Sequence, residues 1–119
     1  MVLVDTSVWI EHFRTSNRHL QELLDAGETA THPYVIGELA CGRLVKRSRV
    51  LTLMKALPSY SPITQEEYLH FVDSYKLAGT GTGFVDIHLM ASAVLNGDFL
   101  WTFDKNLRTA AAKLGIAHS

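Results

Sequence analysis

The chain opens Met1-Val2-Leu3-Val4-Asp5-Thr6-Ser7, a short unbroken apolar run that ends on an aspartate and then two hydroxyls. A strand with one wet face would alternate apolar and polar residues. This run does not, so it predicts a strand buried on both faces, as in a parallel sheet. Thr6 or Ser7 is placed to cap a helix that starts at once with Val8-Trp9-Ile10. Asp5 then stands at the carboxyl end of a buried strand, the edge at which open α/β sheets carry their ligands and chemistry. A carboxylate there is expensive unless something pairs with it.

The rest of the chain fits around that strand. Trp9, Ile10 and Phe13 give a short amphipathic helix, and Ser16 or Asn17 caps a second with Leu20, Leu23 and Leu24 on one face and Gly27 at its end. Thr29 to Thr31 reads as a short strand. Pro33 suits the first turn of a helix running from about Tyr34 to Leu44. Ser48 opens another, with Leu51, Met54 and Leu57 inward, stopped by Pro58. Ser59 to Ile63 is extended, as an edge strand. Thr64-Gln65-Glu66-Glu67 is a capping box for a helix carrying Tyr68, Phe71 and Tyr75. Gly79-Thr80-Gly81-Thr82-Gly83 lacks both a preceding strand and the Gly-Lys-Ser/Thr ending of a phosphate loop, so it reads as a flexible connection. Phe84 to Leu95 is apolar nearly all round, the mark of a buried helix. Phe99 to Phe103 is a second strand that runs straight into an aspartate, Asp104, and Lys105 to Leu114 is the last helix, ended by Gly115. Strands alternating with helices predict a mostly parallel sheet with helices on both faces. With no linker, repeat or low-complexity tract, residues 1–119 are expected to form a single domain.

The formal net charge of −1 excludes a chain that binds nucleic acid by bulk charge. Its distribution is more informative, since Arg43, Lys46, Arg47, Arg49 and Lys55 form a stretch without an acid. Cys41 is the only cysteine, which rules out an internal disulfide and zinc-finger spacing and fits a reducing cytosol; it is expected in the core. The opening apolar run is too short for a signal peptide, and no run approaches the roughly 20 apolar residues of a membrane span. A cytoplasmic protein without a membrane partner is expected.

Most of the acids occupy solvated helix positions or caps; four do not. Asp86 has Gly83, Leu89, Met90 and Ala93 as helical neighbours and is the only acid in a helix too apolar to face water. An unpaired buried carboxylate costs several kcal/mol as an order of magnitude, so it must be protonated, ion-paired or metal-bound. The competing explanation is a helix-start acid helped by the dipole. Glu38 is likewise flanked by Tyr34, Val35, Cys41 and Gly42, or else it snorkels to water. Asp5 and Asp104 each end a buried strand, and each is equally explained as a helix cap. Together, two strands of one parallel sheet present both aspartates on one edge. If Glu38 and Asp86 pass near it, four carboxylates converge, which requires cations. Oxygen-only ligation points to a hard ion, Mg²⁺ or Mn²⁺. His88, roughly 200° around the helix from Asp86, cannot share its ion. His32 reads as a loop histidine beside a strand end.

Asp5-Thr6-Ser7-Val8-Trp9, Gly37-Glu38-Leu39, Val85-Asp86-Ile87-His88-Leu89-Met90-Ala91-Ser92-Ala93 and Thr102-Phe103-Asp104 resemble, in order and spacing, the motifs of PIN-domain nucleases. The small chain further resembles the VapC toxins of type II toxin–antitoxin pairs. The resemblance implies a three-layer α/β/α fold with a mostly parallel central sheet. It implies that Asp5, Glu38, Asp86 and Asp104 hold one or two Mg²⁺ or Mn²⁺ ions, supported by the hydroxyls of Thr6, Ser7 and Thr102. The implied activity is a metal-dependent endoribonuclease that hydrolyses RNA phosphodiesters, leaving a 5′-phosphate and a 3′-hydroxyl, and so inhibits translation. The implied partners are the RNA substrate, a second copy of the chain and a cognate VapB-like antitoxin whose tail occupies the cleft. Arg43, Lys46, Arg47 and Arg49 follow directly on the helix of Glu38 and are candidates to carry the RNA backbone. Two other classes compete. A catalytically silent PIN-like binding module has no need of all four acids. An Mg²⁺-dependent phosphotransfer or phosphatase domain of the dehalogenase type requires Asp-x-Asp at its first strand, and here Ser7 stands where the second aspartate belongs.

Overall fold

The computed structural model describes residues 1–119. The two apolar runs and the short segment between them form strands β1 (Val2–Val4), β2 (Thr29–Ala30) and β3 (Phe99–Trp101), all parallel, in the order β2-β1-β3. Every residue of the central strand is buried, as an unalternating apolar run requires. Single parallel bridges, Thr31 with Ser59 and Leu100 with Ala117, lengthen the sheet on either side. The expected edge strand from Ser59 to Ile63 shrinks to that one bridge. Pro62 has no N–H to give a ladder, and the pairing there is completed by the Thr31 N–H on the Pro58 carbonyl.

Seven helices cover the sheet in a three-layer α/β/α arrangement: α1 (Thr6–Thr15), α2 (Arg18–Asp25), α3 (Pro33–Cys41), α4 (Arg47–Ala56), α5 (Gln65–Ser74), α6 (Phe84–Asn96) and α7 (Lys105–Lys113). Helix α6 buries every residue from Ile87 to Ala93, in line with its lack of a polar face. Trp9, Leu3, Leu20, Leu39, Met54, Leu89, Met90, Leu100 and Leu107 fill the centre of the core. No helix is long and apolar enough to cross a membrane.

Several local expectations are corrected. Neither Thr6 nor Ser7 caps α1: the cap position belongs to Asp5, whose side chain makes no capping bond, and both hydroxyls are used elsewhere. Helix α3 stops at Cys41 because Gly42 turns extended, and α4 begins one residue before Ser48 after Lys46 adopts a left-handed φ of 56°. Cys41 is exposed rather than in the core. The Asn17 cap and the Thr64/Glu67 capping box are as expected.

The topology positions the functional edge. From β1 the chain moves to one neighbour, β2, and then crosses to the other, β3. The carboxyl end of β1 is therefore a switch point, the place where open α/β sheets leave a crevice.

Candidate active site

Register decides what meets Asp5. Val4 pairs with Trp101, so the next residues, Asp5 and Thr102, leave the sheet side by side, and the Asp5 N–H bonds the Trp101 carbonyl at 2.9 Å. Asp5 is buried, and one of its oxygens, Oδ2, accepts from Thr102 Oγ1 at 2.7 Å and from Ser7 Oγ at 2.8 Å. Those hydroxyls are held in turn by backbone: Phe103 N–H donates to Ser7 and Asp104 N–H donates to Thr102, each at 3.0 Å. The other oxygen, Oδ1, takes no hydrogen bond and is free to ligate.

Glu38 comes from α3 and is exposed. Thr6 Oγ1 donates to its Oε1 at 2.7 Å, which ties it to the residue beside Asp5. Asp104 is also exposed and caps α7, its Oδ1 accepting from Leu107 N–H at 2.9 Å. The capping explanation thus holds for Asp104 and fails for Asp5. Asp86 is the third residue of α6, half-buried, with Oδ2 packed against Gly83.

Electrostatics bring the four together. The Asp86 carboxyl is pushed up to about 6, first by burial, then by the charges of Asp5 and Asp104, with Glu38 adding less; the Gly83 backbone N–H opposes the shift. Asp5, Asp104 and Glu38 thus act on Asp86, which is the carboxyl made readiest to hold a proton. No three of them close into a ready-made ion cage. The donor set is nonetheless all oxygen, as a hard divalent cation takes, and a carboxyl held up by three like charges is what a cation would relieve.

Arg43, Lys46, Arg47 and Arg49 lie on the α3–α4 connection and the start of α4. All are exposed and none forms an ion pair. Their guanidinium and ammonium groups are free for an anion.

Two residues escaped the sequence reading. His32 does lie in the connection between β2 and α3, but it is not a solvated loop residue. It is fully buried at the end of β2, and its Nδ1 accepts from Tyr34 N–H at 3.0 Å, capping α3, while Nε2 has no partner. Burial, and then the neighbouring His88, lower it to about 4. The sequence signal was its place just before a proline at a helix start. Asp98 is also buried, but at the opposite edge of the sheet, paired with Tyr60 and with the Met1 amino group at 3.1 Å. It is satisfied and plays no part in the cleft.

A cavity of about 570 Å³ lies between α5 and α6 and is lined by none of the four acids.

The chain is similar to known proteins in sequence and in fold. The PIN domain family matches residues 2–113. Ribonuclease VapC32 of Mycobacterium tuberculosis, in the H37Rv and CDC 1551 strains alike, is 46% identical over 118 residues, covering 98% of this chain and 95% of the relative. Among solved structures, PAE2754 from Pyrobaculum aerophilum superposes with a TM-score of 0.63 at 21% identity, covering 92% of this chain and 78% of that one.

Proposed function

The chain belongs to the PIN-domain family, and from that membership we propose that it is a VapC-type endoribonuclease, the toxin of a toxin–antitoxin pair, acting as one domain over residues 1–119. The observation that carries the proposal is geometric: at the switch point of the sheet Ser7 and Thr102 hold Oδ2 of the buried Asp5 and leave Oδ1 free, while Thr6 beside it holds Glu38. Capping accounts for one oxygen of Asp104 and for nothing in Asp5, Glu38 or Asp86, and an all-carboxylate set suits a divalent cation, Mg²⁺ or Mn²⁺.

Asp5 would offer Oδ1 to that cation, with Asp86, Glu38 and Asp104 completing the oxygen set. Bound there, the ion supplies a lowered pKa for the attacking water and offsets the charge that builds on the phosphoryl oxygens. The protein's own part is positioning. Ser7 and Thr102 occupy Oδ2 of Asp5 and fix the carboxylate plane. Thr6 steadies Glu38, which otherwise stands free in solvent. Asp104, anchored by its cap to α7, is held at the rim. Arg43, Lys46, Arg47 and Arg49 would offset the repulsion between an acidic pocket and a polyanionic substrate by binding the RNA backbone beyond it. The expected partners are RNA, a VapB-like antitoxin and a second copy of the chain.

The test is cleavage of RNA by purified wild type and by Asp5→Asn and Asp86→Asn, with and without Mg²⁺ or Mn²⁺. Loss of cleavage in both variants, with unchanged circular dichroism, is expected. Undiminished cleavage by either would sink the proposal.

A further inference from the structure

Beside Glu38 lies a notch that none of the four acids explains. It is about 300 Å³, walled by Tyr34 of α3 and by Phe84 at the start of α6, with Gly37 on its floor and Glu38 at its edge. Phe84 is 52% exposed, unusual for a phenylalanine two residues from a half-buried carboxylate. Its ring is not loose. It packs edge-on against His88 at 4.6 Å, against Tyr68 at 5.0 Å and nearly parallel to Tyr34 at 6.1 Å. The exposed part of the ring is therefore presented in one fixed orientation. A Cβ at Gly37 would meet nothing within 4 Å, so the floor of the notch is open space.

We propose that this notch receives an unpaired base of the RNA, from the nucleotide next to the phosphate that is cut, stacked on Phe84. The proposal rests on the ribonuclease reading above and adds to it a base subsite at Phe84, one fixed distance from the scissile bond. Three observations favour a base. Glu38 belongs both to the acidic cluster and to the notch wall, so a phosphate at the acids places its neighbouring nucleoside at the notch. An immobilised aromatic face is the surface on which single-stranded bases are bound, tolerant of sequence because every base has a π-face. A base in a duplex is stacked inside the helix and cannot reach it.

The experiment uses a single-stranded RNA oligonucleotide with a mapped cut site, in a series where each nucleotide near the cut is made abasic in turn. It compares wild type, Phe84→Ala and Gly37→Leu, the last filling the notch from an exposed helix position. In wild type, one abasic position lowers kcat/KM by about 10-fold. In both variants the intact RNA is cut correspondingly more slowly, and removing the base at that position has no further effect. A fluorescent base analogue at the same position is quenched on binding to wild type and not to the variants. Equal abasic penalties in wild type and variants overturn the notch; so does the absence of any penalised position. A notch reserved for a side chain of a protein partner gives that first result, with no quenching. Wild type that cuts RNA evenly whichever base is missing overturns the notch alone, whereas wild type that cuts no RNA overturns the ribonuclease reading and the notch with it.

Discussion

Thr102 donates its hydroxyl to Oδ2 of Asp5 at 2.7 Å, joining the ends of β3 and β1 across the sheet edge. Ser7 donates to the same oxygen, so two of the three hydroxyls near the acids converge on one atom and leave Oδ1 free. Replacing Thr102 by valine keeps the shape and removes this bond together with the one that the Asp104 N–H makes to the same hydroxyl. The expected outcome is a folded protein whose affinity for divalent metal falls about 10- to 100-fold, with a matching loss of RNA cleavage. Metal titration by calorimetry on the purified variant checks it, and unchanged affinity would show that Ser7 alone suffices to orient Asp5.

Asp104 has two roles that substitution can separate. Asparagine is as good a helix cap as aspartate but carries no charge. Asp104→Asn is expected to match wild-type stability within about 0.5 kcal/mol and to bind metal more weakly, whereas Asp104→Ala also loses about 1 kcal/mol of stability. Thermal melts and metal titrations on the two variants decide the matter. If Asp104→Asn binds metal as wild type does, Asp104 is a cap and nothing more.

The raised Asp86 carboxyl makes the metal-free protein sensitive to pH in a stated direction. Its folded pKa, about 6, lies above its ordinary value of 3.8. Its favourable contribution is therefore fully present below 3.8 and is lost as pH rises through about 6. Added Mg²⁺ or Mn²⁺ binds the ionised form, so the rise in melting temperature should be larger at about pH 7.5 than at about pH 5. Without metal, Asp86→Asn should be more stable than wild type near neutral pH, since it removes the surplus charge. A metal effect independent of pH, or an asparagine variant less stable than wild type at neutral pH, would contradict the shared field.

His32 works in the opposite sense. Burial holds it down to about 4, below its ordinary 6.5. Its contribution is present above 6.5 and is lost as pH falls towards 4. His32→Asn keeps an acceptor for the Tyr34 N–H and removes the titration. The variant should start from a lower melting temperature, because a buried ring is lost, yet show a shallower decline between about pH 6.5 and 4. Parallel curves for variant and wild type would mean that His32 does not set the acid limb.

Much of this protein follows from local patterns. The unalternating runs before Asp5 and Asp104 mark parallel strands, the first wholly buried and the second, which ends at Trp101, buried except for Phe99, and the polarity of the chain puts both aspartates on the same edge. Asp86 stands out because it is the one charge in a helix with no wet side. The Asn17 cap and the Thr64/Glu67 box are legible because they are bonds between residues three apart.

What depended on contacts between distant segments was not legible. Thr6 and Ser7 look like caps in the sequence, and only the tertiary structure sends one to Glu38 and the other to Asp5. His32 looks like a loop residue until packing against His88 and Tyr34 removes it from water. Cys41 looks apolar enough for the core, but α3 ends there and leaves it in solvent. The notch between Tyr34 and Phe84 has no signature at all, because its walls belong to two helices and its floor is the missing side chain of Gly37. The sequence alone determined that Asp5 and Asp86 stand out of water's full reach, because hydrophobic periodicity is written locally; it overstated this for Glu38 and Asp104, which are exposed, and missed Asp98, which is buried. The tertiary structure decided which hydroxyl serves which carboxylate, and which aromatic face stays open, because strand register and helix packing set those distances.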